Sequence, residues 1–272
     1  MNGLRGRRTV RRGLDVALKP LGGRIITRTE EESIAQRQQA LIRELYWANA
    51  LRLSPALSDR PGRIELLEAL RGTEVSEAVA LVHALQGALD GPGDVCEFGV
   101  AQGATSALIA NEIRDTDRTL WLYDSFRGLS EPDAKDKLID DIFGLGSMDR
   151  YAATMAYPVD AVLGRLADVG FPTERTRIVE GFLTADLAAE QLPEVLAFAY
   201  LDFDLYEPIG VGLDLLHGRC RAGSVIMVDD YGFFSSGPKT AVAEFLVAHP
   251  DAYELEEAHP GVGHFCLLRR TG

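Results

Sequence analysis

No apolar run in the 272-residue chain approaches the ~18 residues that a membrane-spanning helix requires. Cysteine is scarce: Cys96, Cys220 and Cys266 stand far apart inside apolar runs. That excludes a disulfide framework and any zinc-finger spacing, and the three read as reduced core residues of a cytoplasmic protein. A secretory leader is not expected. Arg5, Arg7, Arg8, Arg11 and Arg12 give a positive start, but Leu14 to Leu21 holds Asp15, Lys19 and Pro20, so no apolar segment follows. There is no internal repeat and no low-complexity tract. Positive charge is in short supply, with 28 Lys and Arg against 41 Asp and Glu and a net charge of −13. It is also unevenly spread. Residues 1–28 carry eight basic side chains and one acid, or +7, which leaves −20 for the remainder. An acidic body argues against nucleic acid as the main partner. The basic segment reads as a mobile, solvated arm, with contact to an anionic surface, a phosphorylated substrate or a sister subunit as the alternative.

What is present is an ordinary globular composition, 46% hydrophobic and 25% charged. Residues 30–58 have helical spacing, with Ile34, Leu41, Ile42, Leu45, Ala48, Leu51 and Leu53 on the apolar positions, and Pro55 and Pro61 break the pattern. Further helices are predicted over 63–70 and 76–89, the latter stopped by Gly91-Pro92-Gly93. Strands then alternate with helices: strands at 94–98, 119–123, 177–180, 196–203 and 224–228, and helices starting at 105 and spanning 159–169, 208–219 and 238–249. Residues 253–255 and 264–268 read as a closing antiparallel pair. This alternation predicts an α/β fold, a mostly parallel sheet with helices on both faces and ligands at the carboxyl ends of the strands. The expected divisions are a basic arm at 1–28, a helical cap at 29–90 and the α/β domain at 91–272.

Val95-Cys-Glu-Phe-Gly-Val-Ala-Gln-Gly-Ala104 is a strand running into a turn flanked by Gly99 and Gly103, with a helix after it. Small residues let backbone approach a ligand, and the helix offers free N–H groups. The G-x-G-x-x-G pattern of dinucleotide sites is missing, so the turn alone also fits an ordinary strand-to-helix connection. Glu97 at the strand end is able to hold a cationic amine or a water shell, and Asp124 at the end of the next strand is placed to accept ribose hydroxyls. An acid, a two-glycine turn and a ribose acid without a diphosphate cradle fit S-adenosylmethionine better than NAD.

Two apolar runs end in acid: Tyr200-Leu-Asp-Phe-Asp-Leu-Tyr206 and Val225-Ile-Met-Val-Asp-Asp-Tyr231. Buried parallel strands whose carboxyl ends open into a site read this way. Asp202 and Asp204 face the same side if the chain stays extended, whereas only a turn aims both Asp229 and Asp230 at one point. Such a negative hole is stable only if something positive fills it, a hard divalent cation such as Mg²⁺ being the simplest, or if some of the carboxylates stay protonated. Either pair alone equally fits turn and helix-capping acids.

As an ordered set, Glu97-Phe-Gly-Val-Ala-Gln-Gly103, Tyr123-Asp-Ser-Phe-Arg-Gly-Leu129, Val179-Glu-Gly-Phe182, Leu201-Asp-Phe-Asp-Leu-Tyr-Glu207 and Val228-Asp-Asp-Tyr-Gly232 resemble the macrocin O-methyltransferase (TylF) family of class I S-adenosylmethionine-dependent methyltransferases. The resemblance covers about residues 90–270. It implies a Rossmann-like fold preceded by N-terminal helices, a homo-oligomer, and Mg²⁺-dependent methylation of a sugar hydroxyl on a glycosylated or nucleotide-linked small molecule. It implies Asp202, Asp229 and Asp230 as metal ligands and Asp204 as general base. Glu97, Gly99, Gly103, Asp124 and Ser125 would hold the cofactor, with Gly181 and Phe182 near the adenine. One departure is visible: the family commonly carries Trp-Arg-Gly-Gly where this chain has Ala101-Gln-Gly-Ala104. Tyr46 and Trp47 are candidates for stacking on a sugar, against plain amphipathic packing. The acidic stretch 130–158 reads equally as a lid or a surface excursion, and His259 and His264 receive no role. Competing readings are a catechol-type methyltransferase, a metal-dependent glycosyltransferase or phosphatase built on the Asp-x-Asp motif, and a non-catalytic binder.

Overall fold

The computed structural model describes residues 37–48, 57–259 and 261–272; the basic arm and the expected helical stretches at 30–36 and 49–56 lie outside the described residues. Residues Leu45–Gly272 form one compact unit, and the chain before them belongs to another. A helix, α1, spans residues 37–48. It is followed by α2 (Arg63–Ala69) and α3 (Val75–Ala88). The sheet region then runs β1 (Asp94–Phe98), α4 (Ala104–Ile113), β2 (Leu120–Asp124), α5 (Val159–Asp168), β3 (Thr176–Glu180), β4 (Leu196–Leu201), α6 (Tyr206–His217), β5 (Cys220–Val228), α7 (Gly237–Ala248), β6 (Tyr253–Glu257) and β7 (Cys266–Arg270). Strand order is β3-β2-β1-β4-β5-β7-β6. The first five strands are parallel, and β7 and β6 close the edge antiparallel. The expected α/β architecture is present, and the strand order reverses between β1 and β4, where ligands enter such sheets.

The central strands are apolar without alternation because both their faces are covered. All six residues of β4, Leu-Ala-Phe-Ala-Tyr-Leu, are buried. Successive side chains divide between two cores, following the two-residue strand period. Val95, Phe198, Tyr200, Val225 and Met227 join Leu81 and Leu85 of α3, Ile109 of α4 and Val162 of α5. Cys96, Phe98, Ala199, Leu201, Ile226 and Val228 join Ile209 and Leu213 of α6 and Val242 and Phe245 of α7. The three cysteines are free and buried.

The main differences from the expected elements lie at the functional edge. Strand β4 ends at Leu201 rather than at residue 203, and β5 starts at Cys220 rather than 224. Asp204 has φ 61° and Asp230 φ 51°, so both acidic stretches leave the sheet through left-handed residues. Among non-glycine residues aspartate is one of the few that visits this region readily. Asp202 and Asp204 therefore do not alternate along an extended strand.

Before the sheet, Arg63 is 1% exposed and anchors α2. Its guanidinium donates two parallel hydrogen bonds to the Glu112 carboxylate of α4, at 2.8 and 2.7 Å, and a third to the Tyr46 hydroxyl at 3.2 Å. Tyr46 is buried and committed to this contact, while Trp47 is half exposed and packs edge-on against it. Neither lines the cavity described below. Packing accounts for Tyr46, and the pair gives no stacking platform for a sugar.

Among the described residues, no helix is long and apolar enough to cross a membrane.

Candidate active site

Three strand ends are fastened side by side at the reversal point. The Asp202 N–H donates to the Phe98 carbonyl at 2.7 Å, and the Asp229 N–H to the Leu201 carbonyl at 2.9 Å. Gly99 is dictated by this junction: a Cβ there would stand 1.8 Å from the Asp202 carbonyl oxygen, and its φ is +85°. Gly103 precedes α4 in a left-handed conformation.

The acids around the glycine turn accept hydrogen bonds from the protein. Glu97 is fully buried, and its two carboxylate oxygens accept hydrogen bonds from the Thr105 and Ser106 hydroxyls in the first turn of α4. Burial pushes its carboxyl up to about 8, against the opposing effect of those two hydroxyls. Glu97 does not line the cavity, so in this structure it ties β1 to α4 rather than facing a ligand. Asp124 does line it. One oxygen accepts the Val100 and Ala101 N–H groups at 2.7 and 2.9 Å, and the other the Phe126 N–H at 2.6 Å. Ser125 donates to the Gly128 carbonyl at 2.8 Å, closing the turn after β2. Gly181 is joined to β2 through its N–H to the Asp124 carbonyl at 2.9 Å. Phe182, 45% exposed, has the Arg127 guanidinium 4.7 Å from its ring centre.

The second group of acids has few such partners. Ligand oxygens of Asp202, Asp204 and Asp230 all lie within 4.8 Å of one another. Asp229 is not in this set. Its Oδ2 accepts from the Tyr200 hydroxyl and its Oδ1 from the Asp230 N–H at 2.8 Å. The geometry thus groups Asp204, expected as a base, with two of the three expected metal ligands, and sets Asp229 against the buried Tyr200. Burial and the neighbouring carboxylates raise Asp202 and Asp230 well above the usual carboxylate range. Burial also carries Asp204 to about 7, with a hydrogen bond from Asp230 acting the other way.

A fifth acid was missed in the sequence. Glu77, in the first turn of α3, is 5% exposed and faces the same cavity. Burial and then the Asp229 charge raise its carboxyl far above normal. An acid at that helical position reads from sequence as a partner for the helix dipole, and nothing local signals that the helix start lies against β5. His264 also lines the cavity and stacks on Phe233, with ring centres 4.3 Å apart.

The cavity has a volume of about 730 Å³. It joins the glycine turn, Asp124, Ser125, Gly181 and Phe182 to the aspartate cluster. Among the described residues its one lysine or arginine is Arg71, set against Glu74, Glu77, Asp124, Asp202, Asp204, Glu207, Asp229 and Asp230. Ile142, Phe143, Met155 and Tyr157, from the stretch 130–158, add an apolar wall. That stretch is tied down. The Ile139 N–H donates to the Phe234 carbonyl at 3.0 Å, and the buried Asp136 accepts from the Tyr206 N–H at 2.8 Å and the Ser235 hydroxyl at 3.1 Å. Met148 and Tyr151 form a small core with Leu205 and Phe234.

Comparison with known proteins gives a consistent picture. The family model for macrocin-O-methyltransferase (TylF) matches residues 69–257. A tetracenomycin-C rhamnosyl 4'-O-methyltransferase from Streptomyces olivaceus is 30% identical over 143 residues, 52% of this chain and 53% of that protein. Demethyldecarbamoylnovobiocin O-methyltransferase from Streptomyces niveus is 30% identical over 171 residues, 60% of this chain and 62% of that protein. The match to these two thus spans between half and two thirds of their length. Mycinamicin III 3''-O-methyltransferase from Micromonospora griseorubida is 30% identical over 187 residues, 65% of this chain and 70% of that protein. Among solved structures, the O-methyltransferase NovP superposes with a TM-score of 0.62 at 22% identity, covering 88% of this chain and all of that one. The calicheamicin methyltransferase CalS11 superposes with 0.61 at 23%, covering 90% and 94%. These two establish the Rossmann-like class I methyltransferase fold. By the extent of the family match, the chain belongs to the macrocin O-methyltransferase (TylF) family.

Proposed function

We propose that the chain transfers the methyl group of S-adenosylmethionine to a sugar hydroxyl of a glycosylated small molecule, with Mg²⁺ at the aspartate cluster. The observation that carries this reading is the single cavity in which nucleoside-compatible residues and a carboxylate cluster meet. The relatives are described as O-methyltransferases of a rhamnosyl tetracenomycin-C, of demethyldecarbamoylnovobiocin and of mycinamicin III, and the rhamnosyl acceptor of the first supports a glycosylated small molecule here.

The residues fit both groups. For the cofactor, Asp124 keeps lone pairs for ribose hydroxyls, Phe182 offers an exposed ring beside Gly181, and the glycine turn leaves room for the sulfonium end. For the cation, Asp202 and Asp230 offer oxygen donors within 4.8 Å of each other, with raised carboxyl pKa values that express a shortage of positive charge. When bound, Mg²⁺ supplies charge neutralisation and acidifies a hydroxyl drawn to it. Asp202 and Asp230 are assigned as its ligands. Asp229 supports Asp230 through the backbone N–H. Asp204, within the same 4.8 Å group and raised to about 7, takes the proton of the acceptor hydroxyl as the oxygen attacks the methyl carbon. S-adenosylmethionine, when bound, would supply the methyl carbon, its methyl–sulfur bond breaking as the carbon–oxygen bond forms and the electron pair leaving with S-adenosylhomocysteine. The protein contributes mainly alignment of the two reactants.

The apolar wall of Ile142, Phe143, Met155 and Tyr157 suits the aglycone of such an acceptor. It equally suits a phenolic ring, which keeps a catechol-type acceptor as the second reading. The glycosyltransferase and phosphatase readings of Asp-x-Asp have no counterpart in the family match. Exposed Leu41, Leu45 and Trp47 on α1 support the expected homo-oligomer, and the three unpaired cysteines support a cytoplasmic setting.

The test is a methylation assay with S-adenosylmethionine and Mg²⁺ over a panel of glycosides and catechols. Methylated sugar hydroxyls are expected. Turnover of catechols alone would move the assignment to the second reading, and no methylation with no S-adenosylhomocysteine binding would refute both.

A further inference from the structure

Glu77 is the one buried carboxylate of the cavity whose place in the chemistry is unassigned. Its Oε1 has no hydrogen-bond partner, its Oε2 accepts a long hydrogen bond of 3.5 Å from the His264 N–H, and the carboxyl shares a hydrogen bond with the Asp229 side chain. The fold makes space for it. A Cβ at residue 263 would stand 2.6 Å from Glu77 Oε2, and the chain has glycine there. A buried carboxyl oxygen left without a partner costs free energy unless a donor meets it.

Which donor is decided by chemistry. Glu77 does not belong to the group of ligand oxygens formed by Asp202, Asp204 and Asp230 to which the cation is assigned. The sugar of the proposed acceptor offers hydroxyl donors but no positive charge to offset a buried carboxylate. A sulfonium has positive charge but no hydrogen to donate. The α-ammonium of a methionyl tail has both. The surroundings suit the rest of that tail. Arg71 and the residues leading into α3, a 14-residue helix with no side-chain cap at its N-terminus, line the same cavity as Glu77. An α-carboxylate is favoured beside such groups.

We propose that Glu77 holds the α-ammonium of S-adenosylmethionine in a buried, charge-assisted hydrogen bond. This inference rests on the methyltransferase reading above and adds the residue that selects the amino-acid end of the cofactor. The sequence had given that task to Glu97, which is turned away and spent on α4.

The experiment is calorimetric titration of the Mg²⁺-containing protein with S-adenosylhomocysteine and with 5′-methylthioadenosine, which lacks the amino-acid tail. Glu77→Gln should weaken S-adenosylhomocysteine about tenfold or more, the scale of a charge-assisted bond, and leave 5′-methylthioadenosine and Mg²⁺ affinity within about twofold. Equal S-adenosylhomocysteine affinity in wild type and variant overturns the proposal. So does an equal loss for 5′-methylthioadenosine, or a loss confined to Mg²⁺. An arm needing no variant uses wild-type protein with S-adenosylhomocysteine whose α-amino group is replaced by hydrogen. Binding about tenfold weaker is expected, and undiminished binding overturns the proposal even if Glu77→Gln does not fold. Failure of wild type to bind S-adenosylhomocysteine at all is a different result, and it refutes the methyltransferase reading itself.

Discussion

The glycine turn and the aspartate cluster both carry acids at the ends of buried parallel strands, yet they treat those acids oppositely. At the turn, Glu97 receives two hydroxyl hydrogen bonds and Asp124 three backbone N–H groups. At the cluster, Asp202, Asp204 and Asp230 face one another within 4.8 Å. The same residue type at the same place in the fold is a brace in one case and an open charge in the other. What separates them is the supply of protein donors. The turn wraps the N-terminus of α4 around its acids, while the left-handed residues after β4 and β5 curl carboxylates toward each other. A strand-end acid is therefore evidence of a site only after its donors have been counted.

Substitutions at four positions sharpen or break that contrast. The largest effect is expected at Asp204. Asp204→Asn should lower turnover by on the order of 10²–10⁴-fold, the usual contribution of a general base, while S-adenosylhomocysteine affinity by calorimetry stays within about twofold. Retained turnover removes Asp204 as the base. Next comes Asp230→Asn. Mg²⁺ affinity should fall by more than about tenfold, one lost charge-assisted ligand. In metal-free buffer the melting temperature should rise by about 2–4 °C if neutralising one of three crowded carboxylates recovers about 1 kcal/mol. A fall in the metal-free melting temperature would mean that the cluster is a structural brace like the turn.

At Glu97 the expected effect is on stability. Glu97→Ala leaves the Thr105 and Ser106 hydroxyls buried without their acceptor and should cost about 1–3 kcal/mol in denaturant unfolding. Its pH signature has a definite sign. The folded carboxyl holds its proton up to about 8, whereas in the unfolded chain it ionises near ~4.3. Unfolding between those values releases a proton, so this group's contribution is full below pH ~4.3 and is lost as pH rises through about 8. Glu97→Gln should flatten the decline of stability across that window, and an unchanged slope would show that Glu97 is ionised in the fold. The smallest effect is expected from Tyr200→Phe. Removing the hydroxyl that Asp229 accepts should cost about 1 kcal/mol of stability and change Mg²⁺ affinity little. A large loss of Mg²⁺ binding would return Asp229 to the ligand set.

Much of this molecule was readable before its fold was known. The five parallel strands announced themselves as apolar runs with helical segments between them, because a strand covered on both faces has no polar side to show. The glycine turn and the two acid-tipped strands could be placed at one sheet edge by topology alone. The finer geometry could not. Strand β4 ends two residues early, and Asp204 turns left-handed, so alternation along an extended chain gave the wrong route to the convergence of Asp202 and Asp204. Glu97 was read as facing a ligand because its two hydroxyl partners are eight and nine residues away, in a helix whose rotation sequence does not specify. Glu77 was hidden for the converse reason. It sits in the first turn of an amphipathic helix, where acids are commonplace, and only the packing of α3 against the end of β5 brings it to Asp229. Tyr46 was drawn into a hydrogen bond with Arg63, a buried cation whose partner Glu112 lies far along the chain.

The most direct test of the account asks whether the cation and the methyl donor share one cavity. Mn²⁺ in place of Mg²⁺, titrated into protein holding S-adenosylmethionine labelled with ¹³C at its methyl carbon, reports their proximity through paramagnetic broadening of the methyl resonance. The account expects strong broadening at one equivalent of Mn²⁺, lost in Asp230→Asn. A sharp methyl resonance in the presence of bound Mn²⁺ would contradict it.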